Sequence, residues 1–328
     1  MTETTPVTVF TRRSLELDAA REVERIVQFL QENVQHKLHR QGAVLGISGG
    51  IDSSVVLALC VRAFGAQRVI GILLPERESS PESAELAHLL AKQFDVQTVT
   101  EDITAALEGA GCYRRRDEAV KRVFPEFEPN WKSKITLPGN LLDEDRLNIF
   151  SLTVIKPDGS EQTQRLPLRE YAQIVGSSNF KQRARMSMLY YHAELRNYAV
   201  IGTPNKNERD MGFFVKFGDG GADINPIGHL FKTQVFQLAR YLDIPAEIQQ
   251  RPPTTDTYSA GSTQEEFFYR IPFEILDLVW LGYERGAARS EIASALDLTA
   301  DQVARVIADI ERKHRATEYL RMHPINLD

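Results

Sequence analysis

The stretch from residue 43 to residue 57, AVLGISGGIDSSVVL, constrains the fold more than any other part of the chain. It combines a short apolar strand, a turn of glycines and hydroxyls, and a helix that begins at once. Glycines let backbone amides approach an anion, and a helix start adds unpaired N–H groups and the positive end of the helix dipole. The stretch therefore predicts a phosphate-binding loop. A tight turn with incidental glycines is the alternative, but it leaves the grouping of Ser, Gly, Gly, Asp and Ser unexplained.

This loop matches neither of two familiar nucleotide-binding motifs. No Gly-Lys-Ser/Thr follows the glycines, and the Gly-x-Gly-x-x-Gly spacing is absent. Asp52 places a carboxylate beside the predicted phosphate site, where a Mg²⁺ ion bridging phosphate oxygens requires a hard oxygen ligand.

Composition narrows the class of protein. The chain has 328 residues, enough for one large or two smaller domains, and a formal net charge of -6 that argues against general affinity for nucleic acid or anionic membranes. Its two cysteines imply neither a disulfide framework nor a cysteine metal site. No signal peptide and no apolar run long enough to span a bilayer is evident, so the cytoplasm is the expected compartment.

Strands and helices alternate along the first hundred residues. Helical spacing of apolar residues predicts an amphipathic helix over 14–38, and further segments follow as strand 43–47, helix 53–64, strand 69–74, a helix from Pro81 and strand 96–99. The pattern resumes with helix 181–195 and strand 198–201. This alternation predicts an α/β fold with a parallel sheet flanked by helices, whose ligands lie beyond the carboxyl ends of the strands.

The segment between these two α/β regions has a different pattern. An Asp-Gly turn at residues 158–159 lies between β-rich runs and predicts a hairpin, so 109–177 is interpreted as an inserted subdomain. Cys112 is expected to begin an irregular stretch. The Arg114–Arg116 run is explained either as a phosphate grip or, more simply, as solvated charge. Residues 1–108 and 178–283 then form the main domain.

Residues 284–328 are expected to form a helical C-terminal extension. Ser290 and Thr299 are predicted N-caps of two short helices. The pair superficially resembles a helix-turn-helix, but acidic and basic residues balance there, which favours a packed appendage over a DNA-binding module.

Three later segments, together with the loop at 48–53, produce a resemblance to a known family. They are residues 179–186, residues 212–226 (GFFVKFGDGGADINP) and residues 253–256 (PTTD). The loop alone resembles N-type ATP pyrophosphatases, and the later segments resemble the ammonia-dependent NAD synthetases within that group. The resemblance covers roughly 15–108 and 178–283, is weaker as far as His314, and does not cover the insertion. It implies a Rossmann-like fold of the adenine nucleotide alpha hydrolase type.

The resemblance also implies a reaction. In such enzymes the nicotinate carboxylate of deamido-NAD attacks the α-phosphorus of ATP, pyrophosphate leaves, and ammonia displaces AMP from the acyl adenylate. Mg²⁺ as cofactor, ATP as co-substrate and a homodimer are implied with it. The chain has no segment resembling a glutaminase, so nitrogen is expected as free ammonia or from a separate partner.

Site residues follow from the resemblance, position by position. Asp52, Glu208 and Lys216 are the implied catalytic residues, and Asp52 and Glu208 the implied metal ligands. The implied ATP-binding residues are Gly46, Ile47, Ser48, Gly49, Gly50, Ile51, Asp52, Ser53, Thr203, Lys232 and Thr254. The implied deamido-NAD contacts are Arg183, Lys216, Asp223, His314 and Arg315.

Simpler explanations stay open for several of these residues. Glu208 is expected in a polar loop over 202–208 and could be merely solvated there, and Arg183 and Lys232 could be surface charges of their helices. His314 and Arg315 could be surface or capping groups.

Two departures from the family pattern leave the acid substrate open. The segment 267–272 carries more apolar bulk than its counterparts, and the insertion precedes Asn179 on the expected acid-binding side. A C–N-bond-forming enzyme of the same ATP-using group, acting on a different carboxylic acid, is therefore a second hypothesis. A non-catalytic nucleotide-binding protein is a third.

Overall fold

The computed structural model describes residues 10–137, 139–143, 150–254, 258–261 and 263–327, except for the side chains of residues 266 and 267. Within these ranges no helix has the length and apolar character needed to cross a membrane. The seven strands of the described ranges are β1 Ala43–Gly46, β2 Val69–Leu73, β3 Gln97–Thr100, β4 Lys132–Thr136, β5 Ser151–Ile155, β6 Glu161–Arg165 and β7 Ala199–Val200.

The α-helices of the same ranges begin with α1 Ala19–Gln31, α2 Ile51–Phe64, α3 Pro81–Gln93, α4 Thr104–Gly109, α5 Cys112–Val123, α6 Leu168–Arg196 and α7 Lys206–Met211. They continue with α8 Lys232–Tyr241, α9 Ala246–Gln250, α10 Phe273–Glu284, α11 Arg289–Leu296, α12 Ala300–Ala316 and α13 Glu318–Arg321. The predicted 14–38 helix is divided, because a 3₁₀ turn at Arg12–Leu15 precedes α1 and a π-helical turn at Glu32–Lys37 follows it.

A parallel sheet with strand order β3-β2-β1-β7 forms the centre of the fold. Ala43 pairs with Val69 on one side and with Ala199 on the other. On one face the sheet packs against α1, α2, α3 and α8, and on the other against Met186, Leu189 and Ala193 of α6. Burial on both faces explains why these strands read as continuous apolar runs. The predicted α/β fold with helices on both faces is confirmed.

A second, antiparallel sheet of order β4-β5-β6 lies within the predicted insertion. β5 and β6 form the predicted hairpin, and the Lys156 amide donates to the Ser160 carbonyl oxygen (2.9 Å) to close its turn. Phe124 from α5 and Ile174 from α6 pack with this sheet in one hydrophobic cluster.

Helix α6 begins at Leu168, well before the predicted start near Lys181, and runs through the predicted boundary at residues 177 and 178. Packing of Ile174 in the insertion's own core stabilises this first part of the helix. The division of the chain at that boundary stays a prediction.

The predictions for Cys112 and for Arg116 at the start of the insertion are wrong. Cys112 begins helix α5 and is buried rather than opening an irregular stretch. Arg116 is buried and pairs with Glu78 (2.6 Å) and Asp117 (2.7 Å), so it is neither solvated nor free to grip a phosphate. Arg114 remains exposed beside Glu118.

The C-terminal helices α10, α11 and α12 share their own hydrophobic core, which includes Trp280, Ile292 and Val303. Thr299 caps α12 as predicted, since its Oγ1 accepts from the Gln302 amide at 3.2 Å. Ser290 is not an N-cap, because α11 already begins at Arg289 with Ala288 at the cap position. Tyr269 and Ile271, from the apolar 267–272 segment, are buried in the same core.

Candidate functional site

The glycine-rich loop leaves the sheet at the carboxyl end of β1 and enters α2 directly. The Ile47 amide donates to the Ile72 carbonyl oxygen (3.0 Å), so this amide belongs to the sheet and only the amides after it remain for a ligand. Gly49 has φ +70°, and a Cβ there would lie 2.7 Å from the Ser83 carbonyl oxygen. Glycine is therefore required both by backbone conformation and by the close approach of α3.

Hydroxyl groups hold the loop with bonds of unequal length. The Ser53 and Ser54 hydroxyls donate to the Gly50 carbonyl oxygen at 3.0 and 2.8 Å. The Ser48 amide reaches Ser53 Oγ only at 3.4 Å, and the Gly50 amide reaches Ser48 Oγ only at 3.3 Å. Bonds this long are weak, so both amides can turn to a stronger acceptor such as a phosphate oxygen.

Asp52 lies in the first turn of α2 and accepts from two buried side chains. Its Oδ1 accepts from Asn205 Nδ2 at 3.1 Å, and its Oδ2 pairs with the Lys232 ammonium. Lys232 is 0% exposed, which excludes the alternative that it is a solvated helix residue. A buried lysine needs a carboxylate partner, so the pair fixes a positive charge beside the loop.

Glu208 lies in the first turn of α7 rather than in the polar loop expected over 202–208. Its amide donates to Asn205 Oδ1 (3.0 Å) while its Oε2 accepts from the Asn205 amide (3.1 Å), which is a capping box. Its Oε1 accepts from Gln264 Nε2 at 3.0 Å. Burial, and then the negative charge of Asp52, raise the pKa of Glu208 to about 8. Such a pair of carboxylates favours a bound cation.

A buried hydrogen-bond network holds the backbone of Lys232 at the start of α8. Asn207 accepts from the Lys232 amide (2.9 Å) and donates to Asp277 Oδ1 (2.6 Å), and Asp277 Oδ2 accepts from the Thr233 amide (2.9 Å). Burial raises the pKa of Asp277 to about 6. The network joins α7, α8 and α10, and so couples the positions of Glu208 and Lys232.

Asp52, Glu208 and Lys232 line one cleft at the carboxyl edge of the sheet. Of the predicted ATP-binding residues, the structure places Ser48, Gly50, Ile51, Asp52, Ser53, Thr203, Lys232 and Thr254 in its lining, together with Glu208. Gly46, Ile47 and Gly49 do not line it. Gly46 belongs to β1, the Ile47 amide bonds to the sheet, and Gly49 packs against α3.

Four polar residues at this cleft were not among the predicted site residues. Asp219, Arg251 and Gln264 line it, and Asn205 bonds both predicted metal ligands. Burial raises the pKa of Asp219 to about 6. The N-cap position of Asn205 can be predicted from the sequence, because Asn followed three residues later by Glu is a capping-box pattern. Nothing local distinguishes Gln264, which reaches Glu208 only through the fold.

The predicted acid-binding residues lie outside this lining. Arg183 Nε donates to the Lys216 carbonyl oxygen at 3.2 Å, so α6 and the 212–223 segment bring these two together. Asp223 accepts from the Tyr190 hydroxyl (2.9 Å) and the Val200 amide (2.8 Å). His314 Nδ1 bonds the Asp210 carbonyl oxygen (2.8 Å), and Arg315 is exposed.

Two carboxylates of the cleft could hold a divalent cation. Among the described residues no group of three or more His, Cys, Asp or Glu side chains could hold a metal ion. Mg²⁺ is usually held by one or two carboxylates together with substrate phosphates and water. Asp52 and Glu208, two carboxylates in one cleft beside the predicted phosphate loop, fit that arrangement.

The sequence model of the NAD synthase family matches residues 22–124 and 146–324. This match extends through most of the insertion, so the expectation that the resemblance stops at residue 108 and resumes at residue 178 is wrong.

Curated relatives match almost the whole chain. An NH(3)-dependent NAD(+) synthetase of Mesorhizobium japonicum is 48% identical over 95% of this chain and 97% of its own length. One of Rhizobium meliloti is 48% identical over 96% of this chain and 94% of its own. A solved NH3-dependent NAD synthetase of Campylobacter jejuni shares the fold, with TM-score 0.61 and 23% identity, covering 95% of this chain and all of that one.

The fold and the cleft define an α/β protein with a charged site at the carboxyl edge of a parallel sheet. The chain belongs to the NAD synthase family. It is a ligase, and its family uses ATP as a substrate.

Proposed function

We propose that this chain converts deamido-NAD to NAD with ammonia and ATP, through an acyl adenylate, releasing AMP and pyrophosphate. The observation that carries the proposal is the joining of Asp52, Lys232 and Glu208 at the end of the glycine-rich loop. The names of relatives that are 48% identical supply the substrates.

The first step brings two anions together, and residues of the cleft offset their repulsion. A carboxylate oxygen of the acid forms a bond to the α-phosphorus of ATP, and the bond to the β-phosphate oxygen breaks as pyrophosphate leaves. Both partners are anionic, so their approach requires fixed positive charge and amide dipoles. The buried Lys232 ammonium supplies the charge, and the amides of Ser48 and Gly50 supply the dipoles.

Asp52 and Glu208 would hold Mg²⁺ in this scheme. When bound, the ion neutralises phosphate oxygens and holds them in line for displacement. Asn205 bonds both carboxylates and keeps them on the same side of the cleft. In the second step the ammonia nitrogen attacks the acyl carbon, the bond to AMP breaks, and a proton leaves the nitrogen.

The reaction is tested by incubating the protein with ATP, Mg²⁺, ammonium and deamido-NAD. We expect NAD, AMP and pyrophosphate in equal amounts. Asp52→Asn should lower turnover at least about a hundredfold, as loss of one electrostatic group at a reacting centre commonly does. Asp301→Asn, at an exposed position of α12, is the matched control. Absence of both AMP and NAD would refute the proposal.

The insertion favours a second candidate function. This is a ligase of the same family that prefers another carboxylic acid. Residues 125–145 fall outside the family match and belong to the segment that precedes α6 and Arg183. A panel of carboxylic acids assayed for AMP release separates the two candidates. Turnover of deamido-NAD well above every other acid would exclude the second.

A homodimer is the proposed assembly. Helix α6 exposes Phe180, Tyr191 and Leu195, which are 38%, 54% and 64% accessible. Their spacing of about three turns and then one turn places them on one stripe of the helix. An apolar stripe of this kind commonly marks a protein interface. Leu195→Glu should shift light-scattering mass towards the monomer, and a wild-type monomer at micromolar concentration would contradict the proposal.

A further inference from the structure

The C-terminal residues Thr317–Met322, here named the C-terminal clamp, bind the ammonium group of Lys216, which is a predicted contact of the acid substrate. Lys216 Nζ donates to the carbonyl oxygens of Tyr319 (2.8 Å) and Met322 (2.9 Å). An ammonium group has three N–H donors. Two are therefore held by the clamp. The third is not, and the centroid of the Phe217 ring lies 5.6 Å from Nζ.

The same segment also holds the end of helix α7, which carries Glu208 in its first turn. Arg321 Nη1 donates to the carbonyl oxygens of Asp210 (3.0 Å) and Arg209 (3.4 Å). The Thr317 hydroxyl has its nearest acceptor in the Lys313 carbonyl oxygen (2.7 Å) and lies 3.2 Å from that of Met211. The last carbonyls of a helix lack partners within it and attract positive charge. The clamp therefore closes α7 at its C-terminal end.

Close packing joins these two sets of contacts. Gly212 follows α7 with φ +74°, and a Cβ there would lie 2.2 Å from Thr317 Cβ. Arg321 also donates to Thr317 Oγ1 (3.0 Å) and to the His314 carbonyl oxygen. The clamp is thus fastened to α12 on one side and to residues 209–216 on the other.

We propose that Arg321 and Thr317 are positioning residues for the acid substrate, acting through Lys216. They fix the clamp, the clamp carbonyls fix the Lys216 ammonium, and its third donor is left to meet an anionic group of the acid. Arg321 and Thr317 themselves need not touch the substrate. The inference rests on the proposed function in one respect, that deamido-NAD is the acid bound.

The first test needs no substrate. Reductive methylation of lysines in the ligand-free protein is followed by peptide mass spectrometry, with the exposed Lys121 as internal reference. Arg321→Ala should speed labelling of Lys216 several-fold relative to Lys121, since amine reactivity rises when carbonyl partners are lost. Arg312→Ala, an exposed arginine of α12, should leave the ratio unchanged. An unchanged Lys216 rate in Arg321→Ala would overturn the clamp.

The second test measures affinity by calorimetry. Arg321→Ala and Thr317→Val should weaken binding of deamido-NAD about tenfold, as expected for loss of one charge-assisted contact, and leave ATP binding within about twofold. In a Lys216→Met background, Arg321→Ala should add little further loss. Equal losses for both ligands, or additive losses in the cycle, would overturn the proposal. Wild-type protein that binds no deamido-NAD would instead refute the proposed function, and the labelling result would still decide the clamp.

Discussion

Replacing Asn205 by alanine tests how the two predicted metal ligands are held together. Asn205 is fully buried and makes two side-chain bonds, accepting from the Glu208 amide (3.0 Å) and donating to Asp52 Oδ1 (3.1 Å). Loss of an N-cap costs about 0.5–2 kcal/mol. Loss of a hydrogen bond to a charged group costs about 1.5–3 kcal/mol. We expect Asn205→Ala to lower the free energy of unfolding by about 2–5 kcal/mol.

A second variant separates the two bonds. Asn205→Asp keeps a good N-cap, because aspartate caps helices as well as asparagine, but once ionised it cannot donate to Asp52. It also adds a third carboxylate beside Asp52 and Glu208. We expect it to be more stable than Asn205→Ala at low pH, where carboxylates are protonated, and to lose that advantage as the pH rises.

Urea unfolding and magnesium titration of activity are the assays. Thr299→Ala removes the matched cap of α12 far from the cleft, so it should cost about 1 kcal/mol without changing the half-saturating Mg²⁺ concentration. Asn205→Ala should raise that concentration several-fold. If Asn205→Ala loses no more stability than Thr299→Ala and keeps the wild-type magnesium dependence, the reasoning is refuted.

Three further predictions concern the residues around this cleft. Lys232→Met should abolish detectable AMP release while leaving a folded protein by circular dichroism, and near-normal turnover would contradict the role of its charge. Gly49→Ala should cost about 1–3 kcal/mol in urea unfolding, because it strains a positive φ and meets the Ser83 carbonyl, and a smaller loss would show that α3 can retreat. The pKa of Asp277 is raised from 3.8 to about 6, so the folded state binds this proton more tightly and the free energy of unfolding should fall as pH rises between those values. Asp277→Asn should flatten that part of the urea-midpoint profile, and an unchanged slope would contradict it.

Local sequence signals predicted the parts of the fold that local physics determines. The loop at 48–53, the hairpin at residues 158–159 and the Thr299 cap all combine residues adjacent in sequence, and their chemistry is legible there. The parallel sheet followed from the alternation of apolar strands with helices.

The features that the sequence did not predict depend on contacts between segments that are distant in the chain. Arg116 looks like one of three solvated arginines until Glu78, from the loop after β2, is placed against it. Gln264 bonds Glu208, and Asp277 bonds Asn207, across long separations in the sequence. The early start of α6 places Ile174 in a core with residues of β4 and β5, a contact between segments that are distant in the sequence.

The continuity of α6 limits how this chain can vary in length. Each residue of an α-helix turns the chain by about 100°, so adding or deleting one residue between Ile174 and Arg183 would rotate one of them away from its partners. Ile174 packs in the insertion's core and Arg183 donates to the Lys216 carbonyl oxygen. Both residues belong to one continuous helix. Length changes during evolution should therefore accumulate before Leu168, and the stretch outside the family match, residues 125–145, lies there.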